Sequence, residues 1–287
     1  MRSTVEISFK WIRLLLLAVA VFLLHCAAAR ADSNSSSTTV SNDLVKQSNA
    51  PISSILQLRF QDTYSPSWQG LPGQGNAVSL AITAPLPEYR ILPIPQLSLL
   101  KIPMEVTIPT QPTGFGDISF LDLAVIRLRH DFVLGVGPTF VFPTANHVSL
   151  GQGKWQIGPA AAFAWAPRNL LIGVLAQNPI SFAGDSSRQA VNQLFVQPFI
   201  SWVFDRGWFV RSEPQMVFDW ETRKQLLPIN LGFGRVLNIA GQDLSLFVEP
   251  GWNISHDGPS PRYFVNFGLI LLYPNFWERK HYFLPTH

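Results

Sequence analysis

The chain has 287 residues, of which 47% are hydrophobic and only 14% charged, against roughly a quarter charged in an ordinary soluble domain. Its 21 Phe, 9 Trp and 5 Tyr exclude a disordered polymer. The net charge of +3 comes from the N-terminus: residues 1–31 hold four of the 21 basic and one of the 18 acidic side chains, leaving 17 of each sign beyond them, so a nucleic-acid partner is not expected.

Lys10 and Arg13 precede the apolar run Leu14 to Leu24, and Ala29-Arg30-Ala31 offers a small-residue cleavage site. Eleven apolar residues are too few to cross a bilayer as a helix, which needs about 20. Residues 1–31 are therefore expected to be a cleaved signal peptide. Cys26 follows Leu24-His25 rather than the small residues of a lipoprotein signal, and cleavage after Ala31 removes the only thiol in the chain. Disulfides, thiolate metal sites and thiol catalysis drop out with it. Residues 32–51, rich in Ser, Asn and Thr, are expected to be a flexible polar lead-in.

From there to Pro274 the apolar residues show no 3.6-residue period. Segments of ten to thirteen residues, punctuated by Gly, Pro, Asn and Asp, predict strands over 52–61, 77–86, 90–101, 115–127, 131–143, 154–166, 169–178, 192–204, 207–219, 226–236, 243–254 and 262–273. Short and long connections alternate between these segments. An even strand count with short turns at one end and longer loops at the other is the layout of an outer-membrane barrel. The expected fold is therefore all-β, an antiparallel up-and-down transmembrane β-barrel of about twelve strands over 52–274, with a C-terminal tail at 275–287. Pro138, Pro159, Pro198 and Pro214 stand against parts of this assignment, because proline removes a ladder hydrogen bond.

The spacing of aromatic residues supports the same fold. Phe132 and Phe142, Trp155 and Trp165, and Tyr263 and Tyr273 are ten residues apart, and Trp208 and Trp220 twelve. Even separations put each pair on one face. Ten residues on a strand tilted by about 40° rise roughly 25 Å, the height of the apolar band between two aromatic girdles. Ala161 and Val210 are then expected to face lipid. Ala162 faces the lumen, where an arginine should be tolerated.

The opposite face is polar. Gln57, Arg59 and Gln61, Gln193 and Gln197, Arg211, Glu213 and Gln215, and Asn253 and Asn266 should point inward. Arg59, Gln193, Gln197, Arg211, Glu213 and Gln215 are the candidate lumen-lining set. Gly158, Ala160, Ala162 and Ala164 share that side of one strand and should leave space. Arg211 and Glu213 carry opposite charges on one face, which predicts little net ion preference and suits neutral or weakly polar cargo.

Several segments resemble the outer-membrane family described as the meta-pathway of phenol degradation. They are Thr113-Gly114-Phe115-Gly116-Asp117, Gly135-Val136-Gly137-Pro138 with Phe142-Pro143-Thr144, Trp155-Gln156-Ile157-Gly158-Pro159, Asn192 to Pro198, and Pro228 to Gly234. The resemblance implies a signal-bearing barrel that moves small compounds, aromatic ones among them, and it supplies no catalytic residues. The tail NFWERKHYFLPTH departs from that family, whose chains usually end with the final strand and an aromatic or apolar terminus.

No catalytic, cofactor or metal site is expected. His147 and Ser149 lack a third orienting residue. His130, His256, His281 and His287 lack metal-ligand spacing. Gly151-Gln152-Gly153 lacks the Lys-Ser/Thr and helix of a phosphate loop. Asp117 fits a strand-start residue that bonds the backbone. The expected function is a bacterial outer-membrane channel or transporter for small neutral or aromatic compounds. The expected partners are outer-membrane lipid, a small-molecule substrate and the outer-membrane assembly machinery. A closed structural or surface-recognition barrel and an outer-membrane barrel enzyme are the alternatives.

Overall fold

The computed structural model describes residues 40–86, 94–129 and 131–274. The expected signal peptide, the first part of the lead-in and the tail 275–287 lie outside the described residues. Helix α1 (Asn42–Asn49) precedes twelve barrel strands. These are β1 (Leu56–Gln69), β2 (Gly75–Leu86), β3 (Gln96–Thr107), β4 (Ile118–Arg129), β5 (Phe132–Phe142), β6 (Lys154–Trp165), β7 (Leu170–Gln177 with Ile180–Gly184), β8 (Gln193–Val203), β9 (Trp208–Ser212 with Met216–Asp219), β10 (Lys224–Asn230 with Gly232–Ile239), β11 (Gln242–His256) and β12 (Ser260–Tyr273). Neighbours pair antiparallel, and β12 returns to β1 from Tyr273 opposite Leu56 to Ser260 opposite Gln69. Among the described residues, this pairing of last strand with first closes the sheet on itself.

The breaks in β7 and β9 fall at prolines. Pro179 and Pro214 have no N–H to donate, and each sits between two segments of one strand. Leu231, between the segments of β10, donates to the carbonyl of Pro250 and gets no bond back from that residue. Pro138, Pro159 and Pro198 do not interrupt anything. Pro138 and Pro159 face each other within the unbroken β5–β6 register, and Pro198 pairs with Val174. The alternation of connection lengths is weaker than expected. Loops 108–117, 143–153 and 185–192 are at one end, but β1, β11 and β12 extend far enough to shrink 70–74 and 257–259. At the other end, Ala240-Gly241 closes β10–β11 with both residues at positive φ, as a two-residue hairpin of primed type requires.

Face parity follows the sequence pattern. On β6, Gln156, Ala160 and Ala162 are buried, while Trp155, Ile157 and Phe163 are exposed outward. Ala161 is outward too, and Val210 pairs with the exposed Phe233 and Trp202. The expected girdle residues meet across strands. Phe132 stacks on Trp165 at 5.8 Å between ring centroids, and Phe142 meets Trp155 edge-on at 5.8 Å. Trp208 stacks on Phe233 at 4.9 Å.

The lead-in expectation for 32–51 is corrected over its described part. Ser41 caps α1 by accepting from the backbone N–H of Leu44 at 3.2 Å. Ala50 is extended, as a residue preceding proline should be, and the helix stops there. Val45 to Ala50 are buried, because the segment folds into the barrel at the short-turn end. Val45 and Ile55 pack with Val203, Phe209, Val236, Phe247, Ile270 and Leu272. Ala50 joins Ala166, Leu171 and Phe199. Ile52 covers Leu121, Leu123, Ala160, Ala162 and Leu175. The small side chains of β6 are therefore filled over instead of leaving space, and Ala162 is not a site where arginine fits.

Candidate functional site in the barrel lumen

Residues directly opposite across an antiparallel ladder share a face, so the register carries the inward face around the wall. One inward row runs Thr63, Asn266, Glu249 on β1, β12 and β11 and continues through Arg211 and Ser201 on β9 and β8. Gly232 on β10 fills the position between Glu249 and Arg211. A Cβ there would come to 2.9 Å from Glu249 Cγ and 3.1 Å from Arg211 Cγ, so glycine provides the room in which the two charged side chains meet.

Arg211 is the centre of this row. Its Nε donates to Glu249 Oε2 at 2.7 Å, its Nη2 donates to Glu213, and its Cζ lies 4.2 Å from the Phe247 ring centroid. Arg59 pairs with Glu213 at 3.4 Å. Gln197 donates to Glu213 Oε1 at 2.8 Å, and Asn230 and Asn266 donate to Glu249 Oε1 at 2.7 and 3.2 Å. Two guanidinium groups thus face two carboxylates, with amides taking the remaining acceptor sites. A buried charge pair needs that saturation to be tolerated.

The same groups hold α1. Arg59 Nη2 reaches the carbonyls of Ser48 at 3.5 Å and Ala50 at 3.4 Å. Gln57 donates to the carbonyl of Gln47 at 2.7 Å, and Arg211 Nη1 reaches Asn49 Oδ1 at 3.5 Å. Lys46, itself buried, donates to the carbonyl of Ala166 at 3.2 Å and pairs with Asp43 at 3.0 Å. The cations therefore meet the C-terminal carbonyls of the helix, where a positive charge is favoured.

Of the predicted residues, Arg59, Gln197, Arg211 and Glu213 come together in this cluster. Gln193 lies apart, toward the long-loop end, donating to Asp219 Oδ2 at 2.8 Å. Gln215 is half-buried in the irregular stretch between the segments of β9 and takes no part in the cluster. Sequence reasoning missed Glu249 and Asn230. The signal for Glu249 was present: it is an acid in an apolar strand, at the same parity as Asn253.

At the long-loop end a cavity of about 560 Å³ opens between loop 143–153 and β8. Val141, Gln156, Gln193 and Phe195 form its inner wall, with Arg188 at the outside. Asp117 fixes the loop in place by accepting from the backbone N–H of Ala145 at 3.0 Å and of Gln152 at 2.6 Å. Arg188 donates to the carbonyl of Gly151 at 2.6 Å. Among the described residues no group of His, Cys, Asp and Glu is arranged to hold a metal ion.

No protein-family model matches the sequence, and no characterised protein matches it in a sequence search. The phenol-degradation resemblance therefore rests on its five short motifs. Among solved structures, an outer membrane channel from Pseudomonas putida F1 superposes with a TM-score of 0.56 at 13% identity, covering 78% of this chain and 98% of that one. The NanC porin gives a TM-score of 0.51 at 9% identity, with 76% and 98% covered. The fold is that of an outer-membrane β-barrel. At these identities the likeness speaks for the fold alone, and the lumen has to be read from its own residues.

Proposed function

We propose that this protein resides in the bacterial outer membrane and conducts small, largely apolar or weakly polar solutes, with the Val40–Ile55 segment closing the short-turn half of its lumen. The observation that carries this reading is the division of the interior. Arg59, in a wall cluster with Gln197, Arg211 and Glu213, is tied to helix carbonyls that are not part of the barrel, and a separate cavity of about 560 Å³ lies at the long-loop end. The outward aromatic pairs fit a bilayer band, and short turns then belong on the periplasmic side. A barrel of twelve strands is intermediate between filled eight-stranded barrels and open porins, so individual side chains set its bore.

The test is conductance in planar bilayers, with folding checked by heat-modifiable gel mobility. The full chain should conduct weakly, and deletion of residues 40–51 should raise conductance severalfold. The apolar packing of Val45, Ala50 and Ile52 against the wall favours one second reading, a permanently closed structural barrel. Silence of both proteins despite correct folding would favour that reading and end the channel proposal.

A further inference from the structure

The cavity beneath loop 143–153 contains a buried amide that the wall leaves without a partner. Gln156 on β6 lines this cavity and is 3% exposed, and its side chain makes no hydrogen bond among the described residues. Its neighbours explain why. Across the ladder it meets Val141 on β5, which has no polar group, and Ser181 on β7, whose hydroxyl already accepts from the backbone N–H of Val191 at 2.9 Å. Two residues along its own strand stands Gly158, where a Cβ would collide with the carbonyl oxygen of Asn178, so no side chain can reach Gln156 from there. Thr139, opposite Gly158, donates its hydroxyl to Gln177 at 2.9 Å. On β8, Gln193 gives its amide N–H to Asp219 at 2.8 Å and keeps Oε1 free. The charges of the lining balance, one carboxylate against one guanidinium. Asp117 accepts from the backbone N–H groups of Ala145 and Gln152, and Arg188 donates to the carbonyl of Gly151.

We infer that the long-loop half of the lumen binds a small neutral solute carrying a carboxamide or lactam group, with Gln156 as the residue that recognises it. The Gln156 side chain presents a donor and an acceptor side by side, and the group that satisfies both at once is another amide, whose own N–H and C=O have the same spacing. A solute with only one of the two leaves half of Gln156 unpaired in a place where the wall supplies no replacement, and the site discriminates against it for that reason. An ion gains little from a lining whose acid and base balance, and it gives up its hydration to enter. Gln193 Oε1 can accept the second N–H of a primary amide, and Phe195 offers an aromatic face to the body of the molecule. This deepens the channel reading and rests on it for the solute's passage, though not for its binding.

The experiment is calorimetric titration of the full-length protein in detergent with three probes of one shape: benzamide, acetophenone, which keeps the acceptor and lacks the donor, and benzoate, which carries a charge. Benzamide should bind the wild type, with acetophenone and benzoate each about tenfold weaker or more. Gln156→Met, of similar length and without the amide, should bring benzamide down to the level of acetophenone and leave acetophenone unchanged. Val141→Trp fills the cavity while keeping Gln156, and it should abolish binding of both; it decides the matter should Gln156→Met not fold by heat-modifiable gel mobility. Absence of benzamide binding, acetophenone or benzoate as tight as benzamide, or benzamide unaffected by either substitution would each overturn the inference. Bilayer recordings of the same proteins separate the two proposals. Silent bilayers with Gln156-dependent benzamide binding would sink conduction and uphold the site. A conducting barrel that does not bind benzamide would do the reverse.

Discussion

Replacing Glu249 by leucine removes one corner of the charge cluster and should destabilise the barrel by about 3–5 kcal/mol, the range for a buried ion pair left with one partner. The structure gives the reasons. Glu249 is 1% exposed, so water cannot replace it. Its Oε2 takes Arg211 Nε at 2.7 Å, and its Oε1 takes the amides of Asn230 and Asn266. Leucine leaves Arg211 sharing Glu213 with Arg59, one carboxylate against two guanidinium groups. The two amide donors lose their acceptor, at about 1–3 kcal/mol each before relaxation. Glu249→Gln keeps an acceptor oxygen and should lose less. Arg211→Met combined with Glu249→Leu should cost less than the sum of the single changes by at least about 1 kcal/mol, since neither charge is then stranded. The measurement is urea unfolding in phospholipid vesicles followed by tryptophan fluorescence. A loss below about 1 kcal/mol for Glu249→Leu, or strict additivity in the double variant, would show that water reaches the cluster and that the pairing argument fails.

Ala161→Arg and Val210→Arg put a charge on the outward face and should each cost about 2–4 kcal/mol in the same vesicles, with no loss expected if those positions faced water. Ala162→Arg should also destabilise, contrary to expectation from parity alone, because Leu175, Leu121, Leu123 and Ile52 occupy the space it needs; a neutral result there would mean that Ile52 does not pack inside. Gly232→Ala should cost about 1–3 kcal/mol by pressing a methyl against Glu249 and Arg211, and unfolding of this variant alongside Glu249→Leu tests whether the two losses share one cause. Asp117→Ala should leave barrel stability unchanged but expose loop 143–153 to limited proteolysis, since two backbone anchors are lost; unchanged protection would assign the loop's order to other contacts.

The barrel was legible because two signals of different origin agree in the sequence. Turn residues set the strand count, and aromatic spacing set the face. Each strand overlaps its predicted counterpart, and the outward Trp155, Phe163 and Trp165 obey the parity read from spacing alone. Strand ends were less legible. β1 runs 56–69 where 52–61 was expected, since Ile52 and Ile55, which continue its apolar pattern, leave the wall to pack inside. Proline misled in a definite way: it breaks β9 at Pro214, where the ladder has no substitute, but not β5 and β6, where Pro138 and Pro159 face each other and neither asks the other for an N–H.

Helix α1 could not have been found from its composition. Eight residues reading NDLVKQSN are too short and too polar to hold a helix in water, and the Ser41 cap is common in loops as well. What stabilises it is the wall, which supplies apolar contacts to Val45 and donors to its last carbonyls.

That dependence shows where the donors of the inward amides and charges go. In a barrel whose polar residues only satisfied one another, the cluster could be complete without any group from outside the wall. Here it is not: Arg59 spends Nη2 on Ser48 and Ala50, Gln57 spends its amide on Gln47, and Arg211 reaches Asn49. Each of these partners lies in the N-terminal segment. The acids that balance the two arginines, Glu213 and Glu249, come from β9 and β11, so the wall neutralises its own charge and directs the leftover donors at the helix.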